Sequence, residues 1–205
     1  MRIFKDKHFY YSVLFLIFAA VLNFISSNFI QKYFPDRAAP PDLLFKITHY
    51  VGWTQYLTDL ANILSFILVI YYFIKYRYSD IYYLIITYAT AYILRACLIV
   101  LTPLGGALGN DMHYGITNIQ QFGAFPSGHT IMVVLASMMI DKNDSALMKY
   151  FALSSIFIEI ISLILSRGHY SIDIVGAFLL CYFVFNESLK FRPRLQIPYD
   201  QIKNS

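Results

Sequence analysis

Six apolar stretches divide the chain, and each is close to the length that a helix needs to cross a lipid bilayer. A membrane-spanning helix takes about 20 predominantly apolar residues. The stretches cover residues 9–30, 57–76, 80–101, 126–141, 149–166 and 170–189. Charged residues make up only 14% of the 205 residues, against roughly 25% in an average soluble domain. We therefore predict an all-α fold, a bundle of six transmembrane helices in which residues 1–205 form a single membrane domain.

The basic residues are distributed unequally between the two ends of this bundle. With six spans both termini lie on one side, and that side receives eleven Lys and Arg residues while the other receives five. Because basic residues concentrate in cytoplasmic loops, we predict that both termini are cytoplasmic. The first apolar run follows three basic residues, as in a signal peptide, but its length and the lack of a small-residue cleavage site favour a retained span.

The connection between the first two spans, residues 31–56, has a mixed character. It contains three prolines and then apolar residues spaced three and four apart between Leu43 and Val51. Such spacing is typical of an amphipathic helix. We expect a short helix over residues 43–52 that lies in the outer interface of the membrane.

Five ionisable residues fall near the outer ends of the predicted spans. Arg95 lies in the outer half of the third span, and His129 opens the fourth. Arg167, His169 and Asp173 lie where the fifth span ends and the sixth begins. Ionisable groups within a membrane are costly and indicate function by default. We predict that these residues form one active site on the extracytoplasmic side, which is periplasmic, extracellular or luminal.

The residue types indicate a reaction through a covalent intermediate. His169 and Asp173 are four residues apart, so on a helix they share a face. The carboxylate can accept a proton from one imidazole nitrogen, which makes the other nitrogen a better nucleophile. His129 can then act as a general acid for a leaving alkoxide.

The surroundings of His129 are typical of an anion site. Pro126 favours a helix start, and Ser127 and Gly128 expose backbone N–H groups where the helix dipole favours negative charge. Arg95 and Arg167 can bind phosphoryl oxygens through two hydrogen bonds each. Together with the histidines, these groups predict phosphoryl transfer through a phosphohistidine, with no cofactor and no metal.

Each of these features also has a purely structural interpretation. A His-x-x-x-Asp pair is commonly a hydrogen-bonded helix pair, Ser-Gly-His is an ordinary helix start, and Arg167 at a membrane edge can extend its charge to water. A zinc site of His113, His129, His169 and Asp173 would lack the usual ligand spacing, and we expect His113 to be structural or solvated. The arrival of five ionisable residues at one level favours function.

Three further polar residues lie within the apolar spans. Glu159 is in the middle of the fifth span, where it either steers Arg95 or a catalytic histidine, or is a paired or protonated buried acid. Asp59 and Asn62 share a helix face near the outer end of the second span, and we favour packing contacts for them.

Two motifs resemble those of a known superfamily. Residues 125–130, with the sequence FPSGHT, and residues 166–173, with SRGHYSID, resemble the second and third signatures of the type 2 phosphatidic acid phosphatases. That resemblance implies a six-helix membrane bundle. It also implies that His169 is the nucleophile, Asp173 orients it, and His129 is the acid.

Departures from the phosphatase pattern point to the sphingomyelin synthase branch. Only Gly168 separates Arg167 from His169, where the phosphatases usually have five residues, and their first signature is absent. Residues 40–62, with a proline-rich start, and residues 95–103 are similar to stretches of the synthases. Pro126 is more typical of the phosphatases, and Gly123 replaces an acid expected in the synthases.

The favoured function is that of an integral-membrane lipid phosphotransferase, which transfers the head group of a phospholipid as sphingomyelin synthases do. The alternative is a lipid phosphate phosphatase, and a second alternative is a non-catalytic lipid-binding or transport protein. Membrane lipids would be donor and acceptor. Nucleic acid is not expected as a partner, because no cluster of basic residues is present. The sequence does not indicate an oligomeric state.

Overall fold

The computed structural model describes residues 7–107, 123, 125–140 and 145–196, and these residues form helices and loops without a β-strand. The helices are α1 (Lys7–Tyr33), α2 (Leu43–Ile47), α3 (Thr54–Tyr76), α4 (Ile81–Leu101), α5 (Gly128–Met138), α6 (Ala146–Leu165) and α7 (Ser171–Leu195). A 3₁₀ turn, Tyr78–Asp80, precedes α4. The predicted all-α fold is confirmed, whereas His113 lies outside the described residues.

Five of the described helices are long and apolar enough to cross a membrane, namely α1, α3, α4 with its preceding turn, α6 and α7. The fourth predicted span, 126–141, is shorter than expected, because α5 contains only 11 residues. Ser127 caps this helix and the residues after Met138 form a turn, so hydropathy overestimated its length. The count of six apolar helices is consistent with the prediction, and the side on which the termini lie stays a prediction.

The short helix α5 lies inside the bundle. It contacts α3, α4, α6 and α7, and Ile131 and Leu135 are completely buried. Long helices instead present apolar side chains to the outside, such as Phe24 of α1, Phe157 of α6 and Leu179 of α7. This arrangement suits a bilayer, where a helix exposed to lipid needs an apolar exterior and a buried helix can be short.

A buried carboxylate, that of Asp80, connects α4 to α7 at the end of the bundle opposite to His129. Asp80 is 1% exposed, and its carboxylate accepts hydrogen bonds from Arg77, Arg192 and Gln196. These contacts connect the start of α4 to the end of α7. A buried carboxylate requires such partners, because an unpaired charge would be strongly destabilising.

The helix α2 lies at the same end as His129 and is shorter than the predicted 43–52. Asp42 caps it, since its Oδ1 accepts a hydrogen bond of 2.8 Å from the Leu44 N–H. Leu44 and Phe45 pack against the ends of α6 and α7, whereas Leu43 and Ile47 are 70% and 69% exposed. The helix therefore has one face on the protein and one apolar face directed outward.

Candidate active site

The first part of the site is the loop that starts α5. The Ser127 Oγ accepts hydrogen bonds from the Thr130 N–H at 3.2 Å and from the Thr130 hydroxyl at 3.0 Å. The Ser127 N–H donates to the Asp173 carbonyl at 3.1 Å. This hydrogen bond joins the N-terminal ends of α5 and α7. It therefore brings His129, in the first turn of α5, close to His169, which precedes α7.

The guanidinium of Arg95 supports this loop through hydrogen bonds. Its Nε donates to the Pro126 carbonyl at 2.9 Å and its Nη1 donates to Asn23 Oδ1 at 2.8 Å. A Cβ added at Gly128 would lie 3.1 Å from the Arg95 Nε, so the guanidinium packs against the glycine backbone. Arg95 is 4% exposed. It places a buried positive charge directly beneath the N-terminus of α5, as an anion site requires.

His169 contacts Asp173 as the sequence predicts, although with a different local geometry. The His169 Nδ1 lies 3.2 Å from Asp173 Oδ2, and both side chains are buried. Since α7 begins at Ser171, His169 precedes the helix and does not share its surface with Asp173. The same Asp173 oxygen accepts the Tyr170 N–H at 2.9 Å, in a capping box. In the tautomer with the proton on Nδ1, Asp173 accepts that proton in a hydrogen bond and the lone pair lies on Nε2, the atom predicted to be the nucleophile.

His129 contacts a second carboxylate that the sequence analysis did not assign to the site. The His129 Nε2 lies 3.7 Å from Asp59 Oδ1, and both side chains are buried. The rings of His129 and His169 lie edge to face, with centroids 5.9 Å apart and an interplanar angle of 65°. Each imidazole therefore lies beside its own carboxylate, and the two rings are adjacent.

The side chain of Arg167 contacts α2 and the residue that follows it. Arg167 follows α6 with a φ of 57°, and the Gly168 N–H donates to the Leu163 carbonyl at 2.9 Å, as in a helix C-terminus that usually ends in glycine. The guanidinium donates to the carbonyls of Phe45 and Thr48 and lies over the Phe45 ring. These contacts offset the cost of the left-handed backbone, roughly 1–2 kcal/mol. Phosphate binding by Arg167 stays a prediction.

Asp42 connects α2 to the histidine loop, which is the segment 166–170 between α6 and α7 that carries His169. Its Oδ2 accepts hydrogen bonds from the Ser171 N–H at 2.6 Å and from the Ser171 hydroxyl at 2.8 Å. Burial by itself raises the pKa of Asp42, but the bonds from Ser171 and from the Leu44 N–H outweigh it and hold the pKa below its ordinary value. The negative charge is therefore kept at the start of α7, one residue from Tyr170.

Tyr170 fills the space between α2 and Gly105, which lies in the segment after α4. Its hydroxyl donates to the Gly105 carbonyl at 3.0 Å, and its ring packs on Phe45 with centroids 5.6 Å apart. Burial, followed by the charges of Asp173 and Asp42, raises the pKa of Tyr170 to about 12. The phenol therefore stays neutral at physiological pH and acts as a fixed hydrogen-bond donor beside His169.

Glu159 is completely buried on α6, and it lies beside Asp59 and Asn62 of α3. The sequence analysis left open whether it steers Arg95 or a histidine, or is a buried acid. In the described residues neither carboxyl oxygen has a hydrogen-bond partner. The polar side chains beside it are those of α3, and which of the two roles Glu159 has stays a prediction.

Metal binding was not predicted, and within residues 7–107, 123, 125–140 and 145–196 no group of three or more His, Cys, Asp or Glu side chains is arranged to hold a metal ion. Independence of metal stays a prediction, which chelator treatment of the active protein would test.

The geometry of the histidine loop can be compared with known families. Residues 125–189 match the family model described as PAP2 superfamily C-terminal. This match begins in the loop before α5 and extends through most of α7, so it contains His129, His169 and Asp173. The resemblance drawn from the two motifs is therefore confirmed.

The chain is also similar to a curated protein, phosphatidylcholine:ceramide cholinephosphotransferase 1 of Caenorhabditis elegans. The two are 23% identical over 206 residues, which cover 84% of this chain and 44% of the relative. The similarity therefore extends beyond residues 125–189. The chain spans less than half the length of this relative.

Proposed function

We propose that this chain is a membrane-embedded lipid phosphotransferase that transfers a phospho-head-group from a phospholipid to a lipid hydroxyl through a phosphohistidine. The observation that carries the proposal is the pair of imidazoles 5.9 Å apart, each facing a buried carboxylate. Two histidines with separate carboxylates can perform two different tasks, one as nucleophile and one as acid and base. The PAP2 match and the cholinephosphotransferase relative support a lipid phosphotransferase or phosphatase.

In the first step the Nε2 atom of His169 attacks the phosphorus of the donor lipid. A P–N bond forms while the bond between phosphorus and the glycerol oxygen breaks, and His129 gives its proton to the departing oxygen. Asp173 stabilises the positive charge that develops on the His169 ring. Asp59 stabilises the imidazolium of His129 before the transfer. The products are diacylglycerol and a His169 that carries the phospho-head-group on its Nε2.

In the second step a lipid hydroxyl occupies the position that the glycerol oxygen has left. His129, now neutral, takes the proton of this hydroxyl, and the new oxygen attacks phosphorus as the P–N bond breaks. The same residue serves as acid and then as base, as microscopic reversibility requires. The acceptor must therefore approach from the side of His129 and Asp59.

The phosphoryl oxygens need positive partners throughout both steps. The N-terminal end of α5 at Gly128 supplies hydrogen bonds, and Arg95, which packs against Gly128, supplies charge. Arg167 acts instead on α2, because its guanidinium binds the carbonyls of Phe45 and Thr48. We assign to Arg167 the positioning of α2 over the histidine loop.

Transfer requires that water be kept from the phosphohistidine, because water is a competing acceptor at high concentration. Helix α2 is bound to α6 through Arg167 and to α7 through Asp42, so it can cover the site laterally. Leu44→Asp would place a charge on the packed face of α2 and raise the ratio of hydrolysis to transfer. Ile47→Asp, on the exposed face, is the matched control and should change the ratio little.

The experiment uses purified protein in lipid nanodiscs with phosphatidylcholine labelled in its head group. With a ceramide or diacylglycerol acceptor, label should appear in a new lipid, and acceptor should suppress release of water-soluble product. Release of inorganic phosphate from a phosphatidate, with indifference to the acceptor, would support the phosphatase alternative, which the PAP2 match also accommodates. Absence of turnover with every lipid phosphate would contradict both.

A further inference from the structure

Polar side chains that the proposed mechanism does not use lie between α3 and α6, on the membrane side of His129. Glu159 is completely buried and Thr58 is 1% exposed. Among the described residues, both oxygens of Glu159 and the Oγ1 of Thr58 are without a hydrogen-bond partner. The amide of Asn62 lies close to Glu159, and it donates at 3.3 Å to the Thr58 carbonyl on its own helix. Buried polar groups without partners are costly, so their retention needs an explanation.

The position of this group relative to the reacting atoms limits what it can bind. Asp59 faces His129 at 3.7 Å and also lies close to Glu159. The His129 side of the site is where the glycerol oxygen leaves and where the acceptor hydroxyl arrives. A group of polar atoms just inward of that point would meet the backbone of a lipid whose chains remain in the bilayer.

The neighbouring surface offers such a lipid a route. A cavity of about 430 Å³ opens on the outside of the bundle between Leu57 of α3 and the stretch of α6 from Ser154 to Ser162. It is lined mainly by apolar side chains, and it lies on the same two helices as the polar group. Glu159, Asn62 and Thr58 do not line the cavity, so entry of a lipid to them requires the α3–α6 seam to part beside them.

We infer that Glu159, Asn62 and Thr58 form a subsite for the acceptor lipid, which recognises a hydrogen-bond donor that the lipid carries in addition to its reacting hydroxyl. A carboxyl oxygen of Glu159 accepts a hydrogen bond from an amide N–H or a second hydroxyl, and Asn62 and Thr58 complete the polar contacts. A diacylglycerol has only ester oxygens beside its single hydroxyl, so it leaves Glu159 without a partner. The subsite thus favours acceptors with an amide N–H. This inference rests on the proposed transfer reaction.

Paired acceptors test this selectivity. Ceramide and its N-methyl analogue both keep the reacting hydroxyl, but only ceramide has the amide N–H. We expect the native protein to use ceramide with a kcat/KM roughly 10- to 100-fold higher, the range for leaving one buried polar group without its hydrogen bond. Glu159→Leu should raise the KM for ceramide and remove the preference, while Glu159→Gln, which keeps an acceptor oxygen, should retain part of it. Equal use of both lipids by the native protein would overturn the inference.

Two controls separate this inference from the proposed function. In Glu159→Leu the loss of kcat/KM for ceramide should be several-fold larger than any change in the rate of phosphoenzyme formation from labelled donor, measured without acceptor. Absence of a phosphoenzyme in the native protein would contradict the proposed function. In that case equilibrium binding of ceramide and its N-methyl analogue still decides on the subsite. Glu187→Leu, which changes a half-exposed carboxylate on α7, should leave the preference unchanged.

A measurement on the native protein covers the case in which Glu159→Leu does not fold. A ceramide analogue with a diazirine next to its amide should label the α6 peptide that contains Glu159, and ceramide should compete with it. Competition by the N-methyl analogue to the same extent, or labelling elsewhere only, would overturn the subsite.

Discussion

Replacing Asp59 by asparagine tests the separate role of the second carboxylate. The change preserves the shape of the side chain but removes the charge that lies 3.7 Å from the His129 Nε2. At an effective dielectric constant of about 20, two unit charges at that distance attract with roughly 4 kcal/mol. Removing this attraction makes the imidazolium of His129 rarer. Allowing for compensation by the new amide, we expect the rate of phosphoenzyme formation to fall about 100- to 1,000-fold, within the range for a general acid.

The assay compares two donors in single-turnover experiments. Phosphatidylcholine has a poor leaving group that needs a proton from His129, whereas p-nitrophenyl phosphocholine has a good one that does not. Asp59→Asn should therefore lose most of its rate with the lipid and little with the nitrophenyl ester. Asp36→Asn is the matched control, because Asp36 is exposed in the connection between α1 and α2. An equal loss with both donors would refute the assignment of Asp59 to the acid.

Three other perturbations test the fold around the site. Gly105→Ala should lower the free energy of unfolding by about 1–3 kcal/mol, because the new Cβ would lie 2.7 Å from the Arg37 carbonyl oxygen. Thermal unfolding measures this loss. Gly52→Ala is the control, because its Cβ would meet only the far end of the Tyr50 side chain. Asp42→Asn should lower the melting temperature at neutral pH. Since the folded-state pKa of Asp42 is below 3.8, the difference from the native protein should persist above that value and disappear as the pH falls further. A cysteine at Met112, in a cysteine-free background, should react with an impermeant maleimide from the extracytoplasmic side, and labelling only after permeabilisation would reverse the proposed orientation.

The convergence of the histidines could be predicted from the sequence because it depends on topology alone. Spans that alternate in direction bring the start of the fourth and the junction of the fifth and sixth to one side of the membrane, whatever the rotation of each helix. The approach of Asp59 to His129 depends on the rotation of α3, and a single acidic residue among apolar neighbours does not fix that rotation. The sequence favours packing contacts for Asp59, whereas the structure places it beside His129.

Arg167 shows a second limit of sequence reasoning. A cation two residues from a nucleophilic histidine suits phosphate binding, and the sequence contains no sign that the backbone adopts a φ of 57° there. That conformation turns the side chain to the carbonyls of Phe45 and Thr48. The periodicity predicts the short helix α2, but the residues that anchor it, Arg167 and the Ser171 that Asp42 binds, are distant in sequence and became apparent only in the structure.

The central claim is that His169 carries the phosphoryl group between donor and acceptor. Native protein is mixed for one turnover with phosphatidylcholine labelled in its head group, quenched in alkali to preserve phosphohistidine, and digested for mass spectrometry. We expect the label on His169, its loss on addition of acceptor at the rate of product formation, and its accumulation to a higher level in His129→Ala when p-nitrophenyl phosphocholine is the donor. Turnover that continues in His169→Ala, or a label on another residue of the native protein, would contradict the account.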